Sequence, residues 1–237
     1  MPQENLHPFF KYFADEPHQA EAVQLLQASI NQDLLKSDSP WIIKYRETPP
    51  KPDIANPLPV KYFWQQDNGP NGWRQCQTTS IAMCLNYLKI PGIDDDVDYL
   101  KIVQRYGDTT LQSSHQQALK SLGVPARFKT DGSKQDLINR IDAGFPCPIG
   151  ILHHGPVSAP SGGGHYICLI GYTDDGKYAI CHDPFGELSL LEGSWAATGQ
   201  QDGKSVKYSW QNLLPRWDLN NGVKDGWWWE IGESSKK

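Results

Sequence analysis

The feature that most limits the fold is a change of texture at Pro146. After it the chain breaks into short apolar or alternating runs, CPIGILH (147–153), HYICLIGY (165–172), KYAICHD (177–183) and LSLL (188–191), separated by Gly and Asp turns. Before it, apolar residues recur at helical spacing. Ile81, Cys84, Leu85 and Leu88 stand at i, i+3, i+4 and i+7, the stripe of a buried helix, with Thr78 and Thr79 as N-caps and Pro91-Gly92 as its stop. Further helices are predicted over 94–105, 111–122 and 133–143. The last opens on Ser133 with Asp136 three residues on, a capping-box start, and ends at Gly144. Helices first and closely spaced strands afterwards give an α+β chain, a helical half packed on an antiparallel sheet.

The two ends frame that core. Residues 17–35 read as a helix with Val23, Leu26, Ile30 and Leu34 on one face, and WIIKY (41–45) as a short strand. ETPPKPDIANPLP (47–59) holds five prolines and reads as an extended connector, since proline fixes φ and removes a backbone donor. The chain therefore divides into an N-terminal extension, 1–58, and a main domain, 59–237. That domain opens on VKYFWQQDNGPNGW, a strand-like run ending in a turn cluster. Near the C-terminus, GWWWEIG with Trp227, Trp228 and Trp229 reads as a last strand that seals the sheet and buries alternate tryptophans.

Charge and cysteine usage exclude several classes. A net charge of -5 argues against nonspecific nucleic-acid binding, which rests on surplus Lys and Arg. No apolar run is long enough to span a bilayer. MPQENLHPFFKYF lacks the basic start and apolar core of a secretory signal. The five cysteines, 76, 84, 147, 168 and 181, are odd in number and lack Cys-x-x-Cys spacing. They read as free thiols in a reducing, cytoplasmic compartment.

Position separates two of these thiols. Cys84 falls within the apolar stripe and reads as packing. Cys76 lies at the start of the same helix, where unpaired N–H groups and the positive end of the macrodipole favour a thiolate. A thiolate nucleophile needs a base, and the base needs an orienting group. HYICLIGY, the TDDG turn and KYAICHDP form a hairpin that starts at His165 and ends near Asp183. With a loop of 173–176, Tyr172 faces Lys177 and His165 faces position 184. One residue of change in the turn sets His165 directly opposite Asp183, with Cβ atoms about 5 Å apart. PSGGG before His165 leaves room for a substrate backbone. His182 points to the other face, His153 and His154 read as polar strand-end residues, and His115 reads as solvated. An oxyanion also needs a second donor beside the Cys76 N–H, and Gln65 and Gln66 both qualify by position.

These residues carry a resemblance. WQQDN around Gln65, RQCQTTSIAMCLNYL around Cys76, GGGHYICLIGY around His165 and CHDPFGE around Asp183 are similar, in order and spacing, to papain-fold cysteine peptidases. The bacteriocin-processing (double-glycine leader) peptidases and their free-standing relatives are the nearest in pattern. The resemblance spans residues 60–190 and implies a Cys76 nucleophile, a His165 base, an Asp183 orienter and a Gln65 oxyanion donor. Gln65 is preferred over Gln66 because it directly follows Trp64. Gln75 and Gln77 flank Cys76 where the family commonly has Gly after the nucleophile and Asp or a small residue before it. The sequence contains no transporter segments, and its texture is similar to phage-borne members of the group.

The expectation is a peptidase that cleaves peptide amide bonds, with peptidoglycan stem peptides as the substrate of a phage lysin. It carries association with a phage particle or release to the cell wall, and no metal or organic cofactor. Two alternatives stand beside it: a noncatalytic virion structural or binding module of the same fold, and an acyl transferase using the same triad.

Overall fold

The computed structural model describes residues 54–218 and 224–232. The helix expected over 17–35, the strand expected over 41–45 and the first part of the proline connector lie outside the described residues. Contacts group the chain into Met1–Pro52 and Asp53–Lys237, and every described residue belongs to the second unit.

Its helices come first: α1 (Cys76–Tyr87), α2 (Asp96–Val103) and α3 (Gln112–Ser121), then β1 (Ala126–Gly132) and α4 (Lys134–Asp142). Strands follow: β2 (Cys147–Ile151), β3 (His165–Tyr172), β4 (Tyr178–His182), a β5–β6 hairpin (Glu187–Ser189 and Ser194–Ala197) and β7 (Val206–Ser209). α5 (Trp210–Trp217) and β8 (Gly226–Ile231) close the described chain. β1, β8, β2, β3, β4 and β7 pair in that order into one antiparallel sheet, against which α1 packs through β3 and β2. This is the α+β papain-like fold, a helical half on an antiparallel sheet.

α1 is more deeply enclosed than its apolar stripe suggests. Every residue from Gln77 to Leu85 is buried. Its polar members can be buried because they are bonded: Ser80 Oγ donates to the Tyr166 carbonyl (3.1 Å), and Thr79 Oγ1 to Asp96 Oδ2 (2.6 Å). The helix begins at Cys76, with Gln75 at the N-cap, so Thr78 and Thr79 lie inside its first turns and cap nothing. α4 does open on the Ser133–Asp136 capping box, and Asp95 caps α2 through the Asp98 N–H.

Other expectations are corrected. The run 60–64 joins no strand; it passes into two 3-10 turns, Gln65–Asp67 and Gly72–Arg74. Leu58 and Val60 before it are buried in the core, and the Leu58 N–H donates to the Ile170 carbonyl (2.8 Å). β8 does not seal an edge. It lies between β1 and β2 with Trp228 and Trp229 both buried, because the sheet is covered on both faces there and alternation is lost. His115 is fully buried, its ring bonded to Tyr99 Oη (3.1 Å) and the Thr109 carbonyl (2.8 Å). Those two partners replace the water that was expected around it.

Candidate active site

Three elements meet where α1 begins. The 3-10 turn Gly72–Arg74 delivers the chain into α1, so Cys76 is its first residue. Asn68 Nδ2, Thr79 Oγ1 and Asp96 Oδ2 bond one another and tie the preceding turn, the first turns of α1 and the start of α2 together. Cys76 is half-buried, whereas the other four thiols are fully buried. Cys84 behaves as packing: its sulfur lies 3.6 Å from that of Cys168, and burial pushes its pKa far up.

The hairpin supplies the other two groups by a route different from the expected one. The turn spans 174–177, because Asp175 Oδ1 accepts from the Thr173 hydroxyl and the Lys177 N–H. Tyr172 therefore pairs with Ala179, and a bulge between Leu169 and Gly171 shifts the ladder again, to Cys168 opposite His182. His165 and Asp183 are thus not directly opposed. Asp183 reaches back diagonally from just beyond β4, and its Oδ1 accepts from His165 Nε2 at 2.7 Å. Both side chains are almost wholly buried.

With Nε2 committed to Asp183, Nδ1 is the ring nitrogen left for Cys76. The thiol and the imidazole are near enough for each to shift the other's pKa. Burial by itself raises a thiol pKa. Here hydrogen bonding and charge from His165, with the N–H groups of Tyr166 and Gln77, outweigh burial and bring Cys76 below its ordinary value. Burial by itself would also depress His165, but Asp183 and the developing thiolate raise it to about 10. Both shifts run in the direction of a thiolate–imidazolium pair.

Gln65 is fully buried while Gln66 is half-buried. Its Nε2 donates to the Gly72 carbonyl (2.8 Å), and its backbone N–H donates to the Pro184 carbonyl (3.0 Å), one residue beyond Asp183. Gly72 is obligatory at this crossing, since a Cβ there would overlap the Gln65 carbonyl. The four expected residues therefore sit on segments bonded to one another.

The remaining histidines separate cleanly. His182 donates from Nε2 to the Val60 carbonyl (2.9 Å) and accepts at Nδ1 from the Ser205 N–H (3.0 Å), so it is a neutral core residue. His153 stacks beside His154, 6.0 Å from His165, and burial with the positive His165 drives it down to about 4. Among the described residues no group of three or more His, Cys, Asp and Glu side chains is arranged to hold a metal.

Three neighbours were not found from the sequence. Trp195 on β6 packs edge-on to the His165 ring at 5.0 Å and is itself backed by Phe185 at 4.4 Å. Tyr208 on β7 donates to Asp183 Oδ2 at 2.9 Å. Trp195 and Tyr208 come from short segments well after Asp183 whose spacing carries no motif, so only the tertiary fold brings them to the site.

A papain-like fold with Cys76 at a helix start and a carboxylate-bound imidazole on the sheet fits the class of cysteine peptidases. A profile of the Peptidase_C39 like family matches residues 57–203, and the chain belongs to that family. No curated protein matches the chain significantly. Among solved structures the chain is similar to one described as a C39-like peptidase from Bacillus anthracis, at 19% identity and a TM-score of 0.45, covering 75% of this chain and 96% of that one.

Proposed function

We propose that the protein hydrolyses peptide amide bonds through a thioester. The observation that carries the reading is the His165–Asp183 hydrogen bond (2.7 Å) beside the Cys76 thiol, with the thiol pKa lowered and the imidazole raised to about 10. The Cys76 thiolate attacks the amide carbonyl carbon, a C–S bond forms, and the oxygen takes the charge. Gln65 Nε2 donates one N–H to the Gly72 carbonyl and has a second N–H for that oxyanion, and the Cys76 N–H is the other donor. The His165 imidazolium gives its proton to the leaving nitrogen as the C–N bond breaks. Water then attacks the thioester, His165 takes its proton, and the acid departs as the thiolate is regenerated. Asp183 holds the ring in one tautomer throughout.

The proposed substrate is a peptide, and the stem peptide of peptidoglycan is its extension to a phage lysin. That extension rests on the texture of the sequence and on no single residue. Alkylation by iodoacetamide near neutral pH tests the reading. Cys76 is expected to react at least about 100-fold faster than Cys84, given a thiolate in one place and a buried thiol in the other. Asp183→Asn should cut peptide turnover by about 10²–10⁴-fold with the fold intact. Equal labelling of the two cysteines would sink it.

A further inference from the structure

We propose that Tyr208 is a positioning residue for the acid–base imidazole, acting through Asp183; the inference rests on the roles of Cys76, His165 and Asp183 given above. The Asp183 carboxylate is fully buried, so each of its oxygens needs a hydrogen-bond partner where it sits. Its two oxygens are served unequally. Oδ1 accepts from His165 Nε2 (2.7 Å) and from the Phe185 N–H (3.1 Å), whereas Oδ2 accepts from the Tyr208 hydroxyl (2.9 Å). A carboxylate held through one oxygen can still turn about its Cβ–Cγ bond. A donor on the second oxygen fixes the plane, and that plane decides whether Oδ1 stays in line with Nε2–H.

The hydroxyl is itself aimed. The Leu188 N–H donates to the Tyr208 oxygen (2.9 Å), which occupies its acceptor side and leaves the O–H directed at Asp183. Tyr208 is 3% exposed on β7, paired with Ala179 of β4, so the bond joins the edge strand to the end of the hairpin that carries Asp183. Burial and the charge of Asp183 raise its pKa far above the ordinary phenol value, so it remains a donor at any working pH.

The test is a cycle on the full chain: wild type, Tyr208→Phe, Asp183→Asn and the double variant. The rate of Cys76 alkylation by iodoacetamide is followed against pH. Phenylalanine keeps the ring and removes only the hydroxyl. With the carboxylate free to turn, the imidazolium loses support and the thiolate forms at higher pH. Tyr208→Phe is expected to slow alkylation at neutral pH about tenfold and to move the half-maximal pH up by about one unit. In the Asp183→Asn background the same change should matter less than about twofold, since the residue acts through Asp183.

An unchanged rate and midpoint in Tyr208→Phe overturns the inference. So does an equal loss in both backgrounds, which is the mark of a merely structural role. Should Tyr208→Phe not fold, the assigned Tyr208 Cζ resonance in wild type and Asp183→Asn is the second measurement. It should move when the carboxylate becomes an amide, and no movement overturns the proposal. A wild-type Cys76 no more reactive than Cys84 defeats the functional reading and this inference with it. A reactive Cys76 slowed by Asp183→Asn but not by Tyr208→Phe defeats the Tyr208 role alone.

Discussion

At the scale of single residues, the behaviour of the site is set by two opposed shifts on one pair of neighbouring groups. Cys76 ionises below its ordinary pKa, and His165 holds its proton up to about 10. As pH falls through the Cys76 pKa the thiolate is lost. As it rises through the His165 pKa the imidazolium is lost. Peptide hydrolysis should therefore follow a bell whose alkaline limb lies near pH 10, measured as kcat/KM against pH on the folded enzyme. An alkaline limb near the ordinary histidine value would contradict the paired state. The place of Cys76 was legible because a helix start is a local feature, and so was the burial of Cys84 inside an apolar stripe. The His165–Asp183 pair was legible in kind but not in register. Turn length and a bulge at Ile170 each shifted the ladder, and neither is written in local propensity. His115 was misread because its partners, Tyr99 and the Thr109 carbonyl, come from outside its own helix.

At the scale of elements, the site depends on close crossings between segments distant in sequence. Gly203 is one: the Asp183 N–H donates to its carbonyl at 2.8 Å, and a Cβ at Gly203 would overlap the Asp183 carbonyl. Gly203→Ala must push the two backbones apart. It is expected to lower kcat about tenfold or more with little change in KM, through a displaced Asp183, as steady-state kinetics would register. Arg216 of α5 is the second device. Buried at 1% exposure, it donates to the carbonyls of Leu190, Leu152, His154 and Gly155, binding the loop after β2 to the loop after β5. Among the described residues only the His154 carbonyl has a further partner in a β-bridge, the Ser161 N–H, and one guanidinium fork serves all four. Arg216→Met should cost about 3 kcal/mol or more in urea unfolding, since it leaves several buried acceptors unpaired. α1 to α4 were legible from periodicity, α4 also from its capping box, and the apolar strands from their runs. β1 was not, because an edge strand such as ARFKTDG carries charge in place of an apolar face.

At the scale of the whole molecule, the stretch that carries the family likeness and the stretch that forms the sheet have different limits. The family profile ends at residue 203, yet β7 and β8 lie beyond it. β8 pairs with β1 on one side and β2 on the other, so it is internal despite coming last among the strands. Trp228 and Trp229 bury their rings there, and Trp217 of α5 donates from Nε1 to the Trp227 carbonyl (2.8 Å). Gly226 lets this crossing close, with the Trp217 ring lying where its Cβ would stand. A chain cut after Gly203 would keep Gln65, Cys76, His165 and Asp183 and lose β7, α5 and β8. It would leave β1 with no partner strand, expose the flanks of β2 and β4, and remove Tyr208 from Asp183. Deleting buried tryptophans alone costs about 3–5 kcal/mol apiece, comparable with the whole margin of a domain. The cut chain should therefore show no cooperative urea transition, and its Cys76 should alkylate no faster than a model thiol. Restoring residues 204–232 should recover both. Cooperative unfolding of the cut chain would mean that β2 and β3 form a stable core without their late-arriving neighbour, contrary to the pairing of β8 at the centre of the sheet.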